Sequence, residues 1–316
     1  MTLRWGIIGC GDVTEVKSGP AFNLVEGFRL EMVMRRDSAK LADYAARHGV
    51  PRSTTDAEAL IQDPDIDAVY VATPPNVHCD YALKAAAAGK ICYVEKPMAM
   101  NAAECQRMIE AFDRAAVPIF VAYYRRSLPR FEAVRAWLRE GRIGSVRHVH
   151  WRLTRKANPA EIWRVDPKIA GGGHFVDLAC HGLDLLIHLL GDIADIAGFA
   201  ANQAGLYAAE DAVAAAWLFA GGATGSGYWN FAASENHDWV EIQGSAGKIE
   251  FSVFEDAPTL VMGQEHFVPH PKHIQHPHIE NIRRHLAGEM AFPSLGSEAI
   301  KTSRLMDKLL AGYYAK

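Results

Sequence analysis

The stretch Tyr93-Val94-Glu95-Lys96-Pro97 ends an apolar run with a charged pair placed directly before a proline. The unbroken apolar character of residues 91–94 is typical of a strand buried in a parallel sheet. Glu95 and Lys96 then fall at its carboxyl end, where open α/β sheets bind their ligands. Because Pro97 fixes its own φ and keeps Lys96 out of helical geometry, the turn is stiff and can aim the lysine ammonium at one point. Lys96 is therefore the first candidate for catalysis.

A glycine motif follows the first apolar run of the chain. It reads Gly9-Cys10-Gly11-Asp12-Val13-Thr14, which fits the dinucleotide fingerprint G-x-G-x-x-G with Thr14 in place of the third glycine. The first glycine permits a tight turn, and the second lets the backbone approach a pyrophosphate. Amides at the start of the following helix would face the phosphate charge. The candidate cofactor residues here are Gly9, Gly11, Asp12 and Val13.

Helix and strand patterns alternate as far as residue 122. The strands are predicted at residues 3–8, 28–34, 67–72, 91–94 and 118–122. Asp37 and Asn76 are expected to cap the helices that follow them, and Gly49 and Gly89 to end those helices. Strands that are apolar throughout, alternating with helices, predict an α/β fold with a doubly wound parallel sheet over residues 1–122.

The end of the second predicted strand bears on the choice of cofactor. An acidic residue there would hold the ribose hydroxyls of NAD, but this chain has Met34-Arg35-Arg36. Two guanidinium groups suit a 2′-phosphate, so Arg35 and Arg36 favour NADP. Asp37, the next residue, keeps NAD open as the alternative.

The pattern changes after residue 122 to longer strands and fewer helices, so a second domain is predicted over residues 123–316. An alternating strand at residues 146–154 and further strands between residues 194 and 254 predict an antiparallel or mixed sheet with helices over one face.

Three glycines open the most informative stretch of this second half. Gly171-Gly172-Gly173 is followed by a predicted helix that runs to residue 190. On a regular α-helix, Asp177, His181 and Asp184 would share one face, at i, i+4 and i+7. A carboxylate one turn from an imidazole can orient it as a general base or acid. The alternative is an exposed polar helix surface.

Histidines are frequent near the C-terminus, at residues 266, 270, 273, 276, 278 and 285. No cysteine or paired carboxylate stands at metal-ligand spacing beside them, so no metal site is predicted. A substrate contact from this segment is the preferred interpretation, with His276 as the candidate.

Composition excludes several classes of protein. A formal charge of -4 gives no reason to expect binding to nucleic acid or to an anionic membrane. Five cysteines without C-x-x-C spacing indicate reduced, mostly buried thiols. Because the first strand begins within a few residues of Met1, we expect no export signal and a cytoplasmic protein.

Taken together, these motifs resemble the Gfo/Idh/MocA oxidoreductase family, over essentially the whole chain and in the right order. The resemblance implies an N-terminal Rossmann domain and a C-terminal α/β domain with a large, mostly antiparallel sheet that often forms oligomer contacts. It implies that Lys96, Asp177 and His181 are catalytic and that a cis bond precedes Pro97. It also implies cofactor contacts from a further set of residues, namely Thr73, Pro74, Asn76, His78, Glu95, Lys96, Trp163 and Arg164.

The implied activity is NAD(P)-dependent hydride transfer with a sugar, polyol or related hydroxy compound, in a homodimer or homotetramer. Tyr123, Arg126, Asp184 and His276 are candidate substrate contacts. Two alternatives stay open. One is a tightly bound cofactor that shuttles hydride internally, as in aldose-aldose oxidoreductases or NAD-dependent glycosidases. The other is a non-catalytic nucleotide sensor.

Overall fold

The computed structural model describes residues 2–157 and 163–315, and the chain divides into two compact units. The first unit comprises Met1–Ser127 and Pro271–Ile300, and the second comprises Leu128–His270 and Lys301–Lys316. Each unit is therefore built from two separated stretches of sequence. The single boundary expected after residue 122 stays a prediction.

The helices in the described residues are numbered in chain order. They are α1 Asp12–Val16, α2 Ser38–His48, α3 Ala57–Ile61, α4 His78–Ala87, α5 Ala102–Ala115, α6 Pro129–Arg139, α7 Pro167–Ala170, α8 Cys180–Leu190, α9 His276–Leu286 and α10 Gly296–Tyr314. None of the helices in these residues is long and apolar enough to cross a membrane.

The described part of the first unit contains a six-stranded sheet in the order β3-β2-β1-β4-β5-β6. Its strands are β1 Leu3–Ile8, β2 Phe28–Met34, β3 Arg52–Thr54, β4 Ala68–Val71, β5 Ile91–Val94 and β6 Ile119–Val121. All neighbouring strands run parallel, so the predicted doubly wound sheet is confirmed. The strand order reverses between β1 and β4, and this is where ligands of such folds bind.

Local capping explains where several helices begin and end. The Asp37 side chain accepts hydrogen bonds from the amides of residues 39 and 40, and Gly49 ends α2 at φ +62°. Both predictions are confirmed. The predicted cap at Asn76 is wrong, because Asn76 lies inside a 3₁₀ turn, Pro75–Val77, that precedes α4. Pro75 fixes the φ needed at the first position of that turn, so the chain is already helical at Asn76.

The described part of the second unit contains an eight-stranded sheet in the order β14-β13-β12-β11-β7-β10-β9-β8. The strands are β7 Val146–Lys156, β8 Ile193–Ala201, β9 Ala212–Phe219, β10 Thr224–Ala233, β11 His237–Gly244, β12 Lys248–Phe251, β13 Thr259–Val261 and β14 Gln264–His266. Only β7 and β10 pair in parallel within this described sheet, so the predicted mostly antiparallel character is confirmed.

Aromatic side chains fill the core of this second unit. Trp151 on β7 and Trp229 on β10 are fully buried, and their rings meet at 86° with centroids 5.4 Å apart. Phe175, which lies just before α8, packs against Trp229 at 5.2 Å. Perpendicular pairs at these separations are favourable beyond the area that they bury. They connect the segment before α8 to the sheet.

Candidate active site

The glycine loop after β1 has two glycines with different roles. Gly9 has φ +90°, and a Cβ there would lie 2.8 Å from Thr73 Cγ2 and 3.0 Å from the carbonyl oxygen of Ala72. The loop after β1 therefore touches the loop after β4. Gly11 is extended, with φ -155°, and in the described residues a Cβ there would come within 4 Å only of the Gly9 carbonyl oxygen, at 3.8 Å. Backbone beside Gly11 thus faces open space.

Thr14 fills the place of the third fingerprint glycine without disturbing the turn. Its hydroxyl accepts from the Gly11 amide at 3.0 Å and donates to the Gly11 carbonyl at 2.8 Å. The close approach falls instead at Gly19, where a Cβ would lie 2.2 Å from the Thr14 carbonyl oxygen and 2.5 Å from the Tyr44 hydroxyl. The G-x-G-x-x-G spacing did not predict that the close contact lies at Gly19 and not at the third position of the motif.

Arg35 and Arg36 extend from the end of β2. Arg35 is half-buried, and its Nη1 donates to the carbonyl oxygen of Cys10 at 3.0 Å, inside the glycine loop. Arg36 is exposed. Asp37 serves as the cap of α2, with its Oδ1 3.1 Å from the Ala39 amide and 3.0 Å from the Lys40 amide. These bonds, chiefly the one from Lys40, lower the pKa of Asp37. Its carboxylate is therefore already engaged.

His78 connects two of the predicted cofactor loops. The ring is fully buried, with Nε2 2.7 Å from the Thr73 carbonyl oxygen and Nδ1 3.0 Å from the Pro97 carbonyl oxygen. Burial lowers the pKa of His78, so the neutral imidazole is favoured. A neutral ring has a single N–H, so it donates to one of these two carbonyl oxygens, and the ring lies between the Thr73 loop and the Lys96-Pro97 turn. Asn76, also predicted to contact the cofactor, is exposed.

Glu95 and Lys96 follow β5, as expected, and the Lys96-Pro97 bond is cis. The Glu95 carboxylate is buried, and its Oε1 accepts from the Tyr70 hydroxyl and from Gln275 Nε2, both at 2.7 Å. Its Oε2 lies 3.2 Å from the Lys96 amide nitrogen. Glu95 is thus placed beneath the turn, where it can fix the backbone that carries Lys96.

Gln275 is a residue that the sequence analysis missed. It is fully buried, accepts from the Tyr93 hydroxyl at 2.7 Å and donates to Glu95. The backbone N–H of Gln275 donates to the carbonyl oxygen of Lys17, just after α1, at 3.0 Å. The segment before α9 therefore links the end of the glycine-loop helix to the Glu95-Lys96 turn. No local motif marks a glutamine 180 residues from its carboxylate partner.

In the second unit, the predicted Asp177-His181 segment begins with a π turn, Phe175–Ala179, before α8. The expectation of one shared face assumed a regular α-helix, and i, i+4 spacing is not one turn across a π turn. The Asp177 Oδ2 lies 3.6 Å from Arg164 Nε, and the Arg164 guanidinium carbon lies 4.4 Å from the centre of the Trp163 ring. His181 is 4% exposed.

Several predicted substrate residues are buried. Asp184 is fully buried and accepts a hydrogen bond from the Thr302 hydroxyl of α10 at 3.3 Å, and its contact with substrate stays a prediction. Tyr123 and Arg126 are 1% and 2% exposed, and Arg126 Nη1 donates to the Pro293 carbonyl at 2.7 Å. The predicted substrate contacts of Tyr123 and Arg126 stay predictions.

The C-terminal histidines differ in burial and in their contacts. His276 begins α9 and is half-buried, so its contact with substrate stays a prediction. His278 is buried, with Nε2 3.0 Å from the Val121 carbonyl oxygen and Nδ1 2.7 Å from the Ser127 hydroxyl. Across the described ranges, no group of three His, Cys, Asp or Glu side chains is arranged to hold a metal ion.

Comparison with known proteins finds matches along nearly the whole chain. Residues 3–123 match a model described as an oxidoreductase family with an NAD-binding Rossmann fold, and residues 131–250 match the GFO/IDH/MocA C-terminal domain. Oxidoreductase P35 of Formosa agariphila is 40% identical over 314 residues, which cover 96% of this chain and 97% of that protein.

Two further relatives extend the comparison. The 1,5-anhydro-D-fructose reductase of Ensifer adhaerens is 30% identical over 251 residues, covering 78% of this chain and 74% of the relative. The crystal structure of aldose-aldose oxidoreductase from Caulobacter crescentus, complexed with glycerol, has a TM-score of 0.87 at 24% identity. That alignment covers 98% of this chain and 97% of the other.

Proposed function

This chain belongs to the Gfo/Idh/MocA oxidoreductase family, and from that membership we propose that it oxidises a secondary alcohol, or reduces the ketone, of a sugar, polyol or related hydroxy compound. The family predicted from the sequence is thereby confirmed. A bound nicotinamide cofactor supplies the chemistry by accepting or donating a hydride at C4.

The observation that carries this proposal is the meeting of three loops at the carboxyl edge of the parallel sheet. A Cβ on Gly9 would strike Thr73, and His78 lies between the carbonyl oxygens of Thr73 and Pro97. The loops after β1, β4 and β5 are thus held together beside the reversal of strand order. Lys96 is part of the third loop.

The residues present fit a dinucleotide. The open space beside Gly11 accommodates a pyrophosphate, and first-turn amides such as those of Asp12 and Val13 have no partner within their own helix. Arg35 and Arg36 suit a 2′-phosphate, while Asp37 is committed to capping α2. We therefore propose NADP as the preferred cofactor.

The catalytic roles follow the chemistry of the side chains. His181 takes the hydroxyl proton of the substrate in oxidation and returns it in reduction. Lys96 donates hydrogen bonds to the same hydroxyl and stabilises the negative charge that develops on its oxygen. Asp177 orients the imidazole, and Trp163 with Arg164 contacts the cofactor.

A paired experiment tests this proposal. Fluorescence titration with NADPH and NADH, after a check for copurified nucleotide by absorbance, measures cofactor binding and preference. Lys96→Met is expected to lower turnover by about 1,000-fold while the NADPH dissociation constant changes by less than about threefold. Near-normal turnover in Lys96→Met would refute the assignment of Lys96. Copurified cofactor with no net change in NADPH during turnover would favour the internal-shuttle alternative, and binding of neither nucleotide would favour the sensor.

A further inference from the structure

Asp238 on β11 is a buried carboxylate to which the proposed chemistry assigns no role. It is 7% exposed, and its Oδ1 accepts from the indole Nε1 of Trp151 at 3.0 Å. Its Oδ2 accepts from the Ser252 hydroxyl and from the Phe254 amide, the latter at 2.7 Å. A buried charge is tolerated only when such donors surround it. The arrangement therefore fixes three groups around one carboxylate.

Trp151, the first of these groups, contacts the helix turn that carries His181. Its fully buried ring lies over Gly182, where an added Cβ would be 2.2 Å from Trp151 Cη2. Gly182 directly follows His181 in α8. The indole plane thus sets how closely this turn of α8 approaches the sheet.

Phe254, the third of these groups, contacts His181 itself. The two rings are perpendicular, at 84°, with centroids 6.0 Å apart. The backbone at Phe254 is held by Asp238, and the Ser252 hydroxyl accepts from the next amide, that of Glu255, at 2.8 Å. Perpendicular aromatic pairs at this distance are attractive, so the phenyl ring restrains the orientation of the imidazole.

We propose that Asp238 is a positioning residue that orients His181 through Phe254 and Trp151. This inference rests on the proposed function, in which His181 transfers the substrate proton. Asp238 joins the aromatic ring that contacts the imidazole to the ring that packs under the adjacent glycine. Loss of its charge removes an acceptor from one of these two sides, because an amide presents only one oxygen.

The test compares Asp238→Asn, Phe254→Leu and Trp151→Phe. The matched control is Glu250→Gln, another buried carboxylate that faces an indole Nε1, that of Trp239 at 3.3 Å. The measurements are kcat, KM, the NADPH dissociation constant, and the NMR signal of the His181 Cε1 proton. Disappearance of that signal in His181→Asn identifies it.

We expect Asp238→Asn and Phe254→Leu to lower kcat by about 10- to 100-fold, with KM and NADPH affinity within about threefold of the parent. The His181 signal should move in both variants, because the ring current of the phenyl group is displaced or lost. Phe254→Tyr, which keeps the ring, should restore kcat, and Glu250→Gln should change neither kcat nor the signal.

An unmoved His181 signal and a parental kcat in folded Asp238→Asn would overturn the proposal. Circular dichroism shows whether Asp238→Asn folds. If it does not fold, the same measurements on Trp151→Phe, which removes the indole N–H donor to Asp238, and on Phe254→Leu decide the question. Full activity in His181→Asn would overturn the proposed function instead. The NMR signal would still show whether Asp238 orients the imidazole.

Discussion

Alanine substitution at the two glycines of the first loop should separate folding from cofactor binding. Gly9→Ala places a Cβ at φ +90°, 2.8 Å from Thr73 Cγ2 and 3.0 Å from a carbonyl oxygen. Backbone strain of about 1–3 kcal/mol adds to overpacking of similar size, so the free energy of unfolding should fall by about 3 kcal/mol. Gly11→Ala has extended backbone and open space, so its stability should stay within about 0.5 kcal/mol of the parent or rise slightly.

For cofactor affinity, Gly11→Ala should be the more damaging of the two substitutions. The methyl group of Gly11→Ala occupies the space proposed for the pyrophosphate, and loss of two charge-assisted hydrogen bonds, at about 1.5 kcal/mol each, would weaken NADPH binding by about 100-fold. Urea unfolding followed by tryptophan fluorescence measures stability, and NADPH fluorescence titration measures affinity. Parental affinity in Gly11→Ala would refute the assignment of this loop to the pyrophosphate. Marked destabilisation of the same variant would refute the description of open space.

Three other changes have expected outcomes. Arg36→Ala should raise the NADPH dissociation constant about tenfold and leave NADH binding unchanged, whereas Arg29→Ala, within the preceding strand β2, should change neither in the same titration. Gln275→Leu should lower the free energy of unfolding by about 2–4 kcal/mol in urea, because a buried carboxylate and a buried tyrosine hydroxyl each lose a hydrogen bond; a loss below about 0.5 kcal/mol would contradict the network. Hydrogen bonds from Arg47 lower the pKa of Glu15 to about 2, so its stabilisation is present above the unfolded pKa and is lost as the pH falls through the folded pKa. Glu15→Gln should therefore lose about 1 kcal/mol less stability than the parent between about pH 5 and 2 in acid-unfolding curves, after discount for solvent screening, and identical curves would contradict this.

Much of the first unit could be predicted because most of its strands are apolar runs that can be recognised from their own residues. Strands β1, β2, β4 and β5 are apolar runs with turn or capping residues at their ends, and the structure places them within a residue or so of the expected bounds. Strand β3, Arg52–Thr54, was missed because it is polar and only partly buried. A short edge strand is stabilised by pairing with its neighbour, and its own composition does not reveal it.

The candidate site was predictable only in part, for a related reason. Lys96 and Gly11 belong to short motifs whose chemistry is local. By contrast, Asp184 and Arg126 are polar residues that looked available but are buried against partners more than 100 positions away. The π turn before α8 was also invisible, because residues four apart suggest the same pattern in either helix type.

Gln275 bonds to a residue 180 positions earlier, and this separation affects how the first unit could be produced as a separate protein. A fragment that stops at Ser127 would contain every strand of the parallel sheet. The buried Glu95 and Tyr93 side chains would nevertheless lack their hydrogen bonds to Gln275. A growing chain on the ribosome is in the same state until almost 150 further residues have been made. The Ser127 hydroxyl lies 2.7 Å from Nδ1 of His278, so the end of the first stretch contacts the second stretch at α9. No single truncation after Ser127 therefore keeps the hydrogen bonds of the first unit complete, because that unit is built from two separated stretches of sequence.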